Sequence, residues 1–175
     1  MIKMTRVWFG LAAICLAGLS GGCQHFNVHV VPDTNDVGLK DDKGALKSLE
    51  VHIVAVSSTE LSHWETMSMS EYWEPGNPTR ESAIKHVMTF GENAPAEQVL
   101  RKDDPIWKKW DDHNAQSLLV LAFLPGIKDV PGSADARRLI LPYDPGKWEQ
   151  RYWGKDTIKI ELRSGGLISL RQPNK

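Results

Sequence analysis

The sequence predicts a mainly β protein: a small β-sandwich with one or two short inserted helices. Three observations carry that prediction. Thr157 to Arg163 alternates Ile158, Ile160 and Leu162 with Thr157, Lys159 and Glu161, the period-two pattern of a half-buried strand. Leu49, Val51, Ile53 and Ala55 share one face of a second strand, with Glu50, His52 and Val54 on the other. The apolar run Leu118 to Leu124, bounded by polar residues and Pro125-Gly126, reads as a central strand buried on both faces. Short strands parted by turn residues, with no internal repeat and no low-complexity segment, indicate a sandwich.

The chain opens on a segment that is not part of that fold. Lys3 and Arg6 precede an uncharged apolar run, Val7 to Leu19, and the small residues Ser20, Gly21 and Gly22 lead to Cys23. This is the three-part layout of a secretory signal. The run is too short to cross a hydrocarbon core of about 30 Å as a permanent helix. Small residues before a cysteine resemble a lipobox, which makes Cys23 the expected lipid-attachment residue. Leu19 stands four residues before the cysteine, where the pattern prefers leucine at three, and Ser20 fills that place. An ordinary signal peptide cleaved near Ala17 or Gly22 is the alternative. The expected division is a lipoprotein signal peptide over 1–22 and a single domain over 23–175.

The remaining elements follow in order. Phe26, Val28 and Val30 alternate with Asn27, His29 and Val31 and form a first strand. Residues 32–48 make a polar connection, long enough to carry a function. Ser57-x-x-Glu60 is a capping-box pattern that starts a helix through Leu61, Trp64 and Met67 to about Trp73. Pro75-Gly76-Asn77-Pro78 closes it. Ser82 to Phe90 fits a helix at its start and a strand at its β-branched and aromatic end, and strand is favoured. Ala96 to Leu100 adds an edge segment. Asp104-Pro105 starts a helix bearing Ile106, Trp107 and Trp110. After a Gly/Pro loop come strand Arg138 to Leu141 and an aromatic loop over 142–154. Gly165-Gly166 then turns the last hairpin into Leu167 to Arg171.

Composition excludes several function classes. Hydrophobic residues make up 41% and charged residues 25%, ordinary for a globular fold. Without residues 1–22 the chain has 19 Lys and Arg against 22 Asp and Glu, which leaves no basic excess to hold nucleic acid. Cys15 lies in the apolar run and Cys23 is reserved for lipid, so the mature domain has no disulfide to form. At 153 residues it can bury enough apolar surface without one.

Motifs that suggest catalysis or metal binding do not survive their context. Gly18-Leu-Ser20-Gly-Gly22 matches the nucleophile elbow but lies in the signal segment. Ser82-Ala-Ile-Lys85 matches S-x-x-K, without the partner motifs of penicillin-binding enzymes. Asp33-Thr-Asn35-Asp36-Val37-Gly38 begins like a calcium loop, but Val37 takes a ligand position and Gly44 stands where the closing glutamate belongs. The six histidines show no metal-ligand spacing and are expected to be solvated. No catalytic set, metal or cofactor is therefore expected. Of the six tryptophans beyond the signal, Trp64, Trp107 and Trp110 are read as cover for a sheet. Trp148, Tyr152 and Trp153 lie in the aromatic loop, where stacking on a cell-wall glycan and anchoring a protein partner stand level with simple packing.

The order of features resembles the outer-membrane lipoprotein of type VI secretion systems, the TssJ family. These features are a lipobox cysteine, an early strand, a long polar loop, and a Leu-x-Val-x-Ile strand leading to a helix with Trp64-Glu-Thr-Met. The buried Leu118–Leu124 strand and a terminal hairpin complete the order. The resemblance is one of layout across residues 23–171. It implies a transthyretin-like sandwich, lipid-anchored in the outer membrane and facing the periplasm. It further implies that the protein tethers the periplasmic domain of an inner-membrane secretion subunit through the loop after the first strand. Here that loop is 32–48, with Val37, Gly38 and Leu39 its apolar or flexible spot. Gln24 after the cysteine resembles the sorting choice for the outer membrane.

Overall fold

A computed structural model describes residues 25–130, 132–144 and 157–170. Cys23 and the aromatic loop residues Trp148, Tyr152 and Trp153 lie outside the described residues. Two four-stranded sheets face each other. One has the order β4-β1-β7-β8, built from β1 (Asn27–Pro32), β4 (Gln98–Leu100), β7 (Thr157–Arg163) and β8 (Gly166–Leu170). The other has the order β3-β2-β5-β6, built from β2 (Leu49–Val56), β3 (Lys85–Phe90), β5 (Ser117–Ala122) and β6 (Arg138–Pro142). All pairings are antiparallel except β1 with β7, which run parallel from Asn27↔Thr157 to Pro32↔Leu162. The β-sandwich expected from strand periodicity is the fold observed.

The core between the sheets takes the alternate residues that the pattern assigns to it. Val28 and Val30 of β1, Val51 and Ile53 of β2, Leu118 and Val120 of β5, and Ile158, Ile160 and Leu162 of β7 share one apolar cluster. The opposite face of β2 and β5 is also buried. Val54, Val56, Leu119 and Leu121 lie under Trp64, Met69, Tyr72 and Trp73. That cover comes from α1 (Ser58–Thr66) and α2 (Met69–Trp73), followed by α3 (Pro78–Ser82). β5 is therefore the two-faced central strand predicted from its unbroken apolar run.

Three local expectations need correction. The helix expected from Ser57 to Trp73 is two helices, because Met67 and Ser68 turn extended between them. Two distant groups hold that break. The Arg138 guanidinium donates to the carbonyls of Trp64 (2.5 Å), Glu65 and Met67 (2.6 Å) at the end of α1. The Asp129 carboxylate accepts from the Ser68 hydroxyl (2.6 Å) and the Ser70 N–H (2.9 Å) at the start of α2. In the last hairpin, Arg163 pairs with Gly166, so Ser164-Gly165 is the turn rather than Gly165-Gly166. Gly166 has φ +135, and a Cβ there would meet the Ala136 carbonyl oxygen at 2.5 Å, which requires glycine.

The third correction concerns the histidines. His52 is 1% exposed, not solvated. Its Nε2–H donates to the Glu50 carboxylate, and its Nδ1 accepts the Tyr72 hydroxyl at 2.7 Å. The neutral ring satisfies both partners. Burial pushes its pKa below the usual imidazole range, with the charges of Lys85 and Arg80 adding to it and Glu50 opposing. His86 is shifted the same way by burial, against Asp104. The unfolded chain therefore binds protons first as pH falls below about 6.5. Stability should be fully present above that pH and be lost progressively below it. Urea midpoints taken between pH 7.5 and 5.5 check this (both pH values about one unit either side of the free imidazole). His52→Gln should flatten the decline.

Candidate functional site

The sequence-predicted partner spot sits in the loop that follows β1. Its backbone is organised by its own acidic side chains. Asp33 Oδ1 accepts the Asn35 N–H at 3.0 Å, and Asp41 Oδ1 accepts from Lys43 and Ala45, both at 2.9 Å. Such Asx turns use the carboxylates that the calcium-like spacing had offered as ligands. Asp36 caps a single 3-10 turn, Val37–Leu39, by accepting the Gly38 N–H at 2.9 Å. The same carboxylate accepts the Ser164 N–H (2.7 Å) and hydroxyl (2.8 Å), which ties the loop to the β7–β8 turn. These bonds, led by the Ser164 N–H, hold the Asp36 carboxyl below the usual carboxylate range.

The three residues of the turn have different fates. Val37 is 80% exposed, the most exposed large apolar side chain among the described residues. Gly38 lies so close to the hairpin that a Cβ would meet Ser164 Cβ at 2.5 Å. Leu39 is 2% exposed and belongs to the inter-sheet core. It is an anchor of the loop and is not on its surface, which corrects the expectation that all three residues face a partner. Leucine in a polar loop was readable as apolar, but its direction depended on the 3-10 turn. Asp36 and Ser164 are 128 residues apart, and no local spacing signals their bond.

The tryptophans settle differently. Trp64, Trp73, Trp107 and Trp110 are all buried, as predicted for 64, 107 and 110. Trp107 and Trp110 project from α4 (Ile106–Asp112) into the end of the sandwich and do not cover a sheet face. Their ring N–H groups donate to the carbonyls of Arg101 and Ile84, each at 2.8 Å. The N-cap position of this helix falls on Pro105 rather than on Asp104 as predicted, and Asp104 Oδ1 accepts the Ile106 N–H at the helix's first residue at 2.9 Å.

Two further arrangements bear on chemistry. Glu50, His52 and Tyr72 form a carboxylate–imidazole–hydroxyl chain, but Tyr72 is fully buried and its hydroxyl faces the ring. It holds the helical layer onto β2, and of the three groups only the Glu50 carboxylate reaches solvent. A groove of about 570 Å³ lies between α1, α3 and the start of β3, with Val56, Ala83 and Trp110 in its floor and Glu60, His63 and His113 on its walls. Among the described residues no group of three or more His, Cys, Asp or Glu is placed to hold a metal ion.

The sequence matches no protein-family model and no curated protein. The fold has solved counterparts. The C-terminal domain of the type VI secretion protein TssM from EAEC aligns with a TM-score of 0.52 at 12% identity, over 83% of this chain and 99% of that one. Lip of Serratia marcescens, a membrane-bound component of the type VI secretion system, aligns at 0.49 and 10% identity, over 85% and 97%. The type VI secretion lipoprotein TssJ1 of Pseudomonas aeruginosa aligns at 0.46 and 10% identity, over 85% and 96%. At these identities the likeness is one of fold: a two-sheet sandwich with inserted helices.

Proposed function

We propose that this chain is a non-catalytic lipoprotein of the outer membrane, acylated at Cys23, that faces the periplasm as an adaptor of a type VI secretion membrane complex. Its partner is the periplasmic domain of an inner-membrane secretion subunit, and Val37 is the side chain that meets it. The reading is carried by one pairing of observations. A lipobox-like N-terminus precedes a sandwich whose first-strand loop is braced to hold an apolar residue in water. An exposed valine costs solvation that a partner's apolar pocket removes, about 1.5 kcal/mol or more on full burial. Asp36, Ser164 and Leu39 hold the loop in place beforehand, so little ordering entropy is lost on docking. The fold shared with a solved TssM structure is consistent with that setting.

The test has two arms. Cys23→Ser should move the protein from the membrane fraction to the soluble periplasm and abolish incorporation of labelled palmitate. Val37→Asp should leave the protein acylated and folded but weaken capture of the inner-membrane subunit at least about tenfold, a 1.4 kcal/mol loss. Recovery of that subunit undiminished by Val37→Asp refutes the loop assignment. The alternative, glycan binding through Trp148, Tyr152 and Trp153, predicts a tryptophan fluorescence change with glycan fragments.

A further inference from the structure

The strand registers divide the sandwich into two ends. Within each sheet the registers make β1 and β7 begin together and make β3 and β5 begin where β2 and β6 finish. These ends of the two sheets meet through Trp107, packed on Phe26 before β1, and Trp110, which donates to the Ile84 carbonyl before β3. α4 closes this end. The loop bearing Val37 and the Ser164 turn close the other, since both follow the far ends of β1 and β7. Six residues of β1 at about 3.3 Å each put the two ends about 20 Å apart.

The chain just before β1 is fastened to the α4 end. The His25 ring stacks on Trp107 at 5.2 Å with an interplanar angle of 16°. Its Nε2 hydrogen-bonds Asp111 Oδ2 at 2.8 Å, while Asp111 Oδ1 accepts the Tyr143 hydroxyl at 2.8 Å. Phe26 is fully buried, and Asn27 Oδ1 accepts the Lys102 N–H at 2.9 Å. Three successive residues are thus locked. In the sequence only Gln24 stands between Cys23 and His25.

We infer that the α4 end is the face this domain lays against the lipid headgroups of the membrane that holds it, and that His25 is the positioning residue that fixes this orientation. The inference rests on acylation at Cys23. Among the described residues, the exposed charged side chains and histidine of that face are Arg101, Lys102, Asp103, Lys108, Lys109, Asp112 and His113. From 101 to 112 four cations meet four carboxylates, with Lys108 paired to Asp112 at 3.1 Å. Net charge does not draw this surface to a bilayer. The short tether does, and neutral phospholipid suffices. The orientation then aims Val37 away from the membrane, toward the side from which a partner comes.

The acylated full chain lends itself to a clean test, because Cys23 is its sole remaining cysteine and its sulfur is consumed. Single cysteines introduced as Lys109→Cys and Val37→Cys carry a fluorophore, and the protein is placed in phosphatidylcholine vesicles containing a headgroup-linked nitroxide quencher. Quenching at 109 should exceed that at 37 several-fold. Adding His25→Ala should narrow the difference, and His25→Gln, which retains a donor to Asp111, should narrow it less. Equal quenching at the two positions in a protein shown by mass to be acylated overturns the face assignment alone. An unchanged difference in His25→Ala overturns the role of His25. A protein that carries no acyl chain overturns both this inference and the anchor on which it rests.

Discussion

Replacing Arg137 by alanine is expected to cost about 3–5 kcal/mol, seen as a fall of about 1–2 M in the urea midpoint. Arg137 is 4% exposed and Asp135 1%. Asp135 accepts the Arg137 Nε–H at 3.0 Å and Nη2–H at 2.7 Å, and the guanidinium also binds Asp129. Asp129 in turn holds the start of α2. Removing the guanidinium leaves a carboxylate buried without its counter-charge and loosens the contact between this loop and the helical layer. The asymmetry is the test. Asp135→Asn in the Arg137→Ala background should recover part of the loss, because the amide carries no charge and its single oxygen still accepts the Arg137 backbone N–H, at the cost of the bond from the Val130 N–H, which goes to the other carboxylate oxygen. No recovery would mean that packing, not the orphaned charge, carries the effect.

The same pair bears on acid behaviour. Burial alone would raise the Asp135 pKa, but Arg137 wins and holds it below the usual carboxylate range. Asp129 is held lower still, chiefly by the Ser68 hydroxyl. Carboxylates depressed in the folded state stabilise it above about pH 4 and give that stability up as pH falls further. The histidine loss below about 6.5 comes first and the aspartate loss second.

The strands were readable because their signals are local. Alternation in β2 and β7 and the unbroken run in β5 report burial directly, since side-chain direction in a strand has period two. What escaped was set by distant partners. The break between α1 and α2 depends on Arg138 and Asp129, both more than fifty residues away. Glu50 and His52 looked like the wet face of β2, and only the helical layer above them shows that His52 is covered. At the candidate site, the exposed Val37 was legible as an apolar residue among polar ones. The burial of Leu39 two residues away was not, because it follows from a 3-10 turn capped by Asp36 and fastened to Ser164 in the β7–β8 turn beside it.

Trp107→Ala is the second large effect, also about 3–5 kcal/mol. Trp107 is fully buried and in ring contact with His25 (5.2 Å), Phe26 (4.9 Å), Trp110 (5.1 Å) and Tyr143 (5.7 Å). Truncation opens a cavity among four rings that are held by β1, α4 and the end of β6, none of which can collapse without moving a sheet. It also leaves the Arg101 carbonyl without its ring donor. Trp107→Phe separates the two contributions. It keeps most of the apolar volume and loses the hydrogen bond, so it should cost about 1–3 kcal/mol. The stacking on His25 can be isolated by a double-mutant cycle of His25→Ala and Trp107→Ala, read by urea unfolding. A stacked pair of this geometry should couple by about 0.5–1.5 kcal/mol. Additive losses would show that His25 lies on Trp107 without being held by it, and the chain leaving the sandwich would then be free to swing.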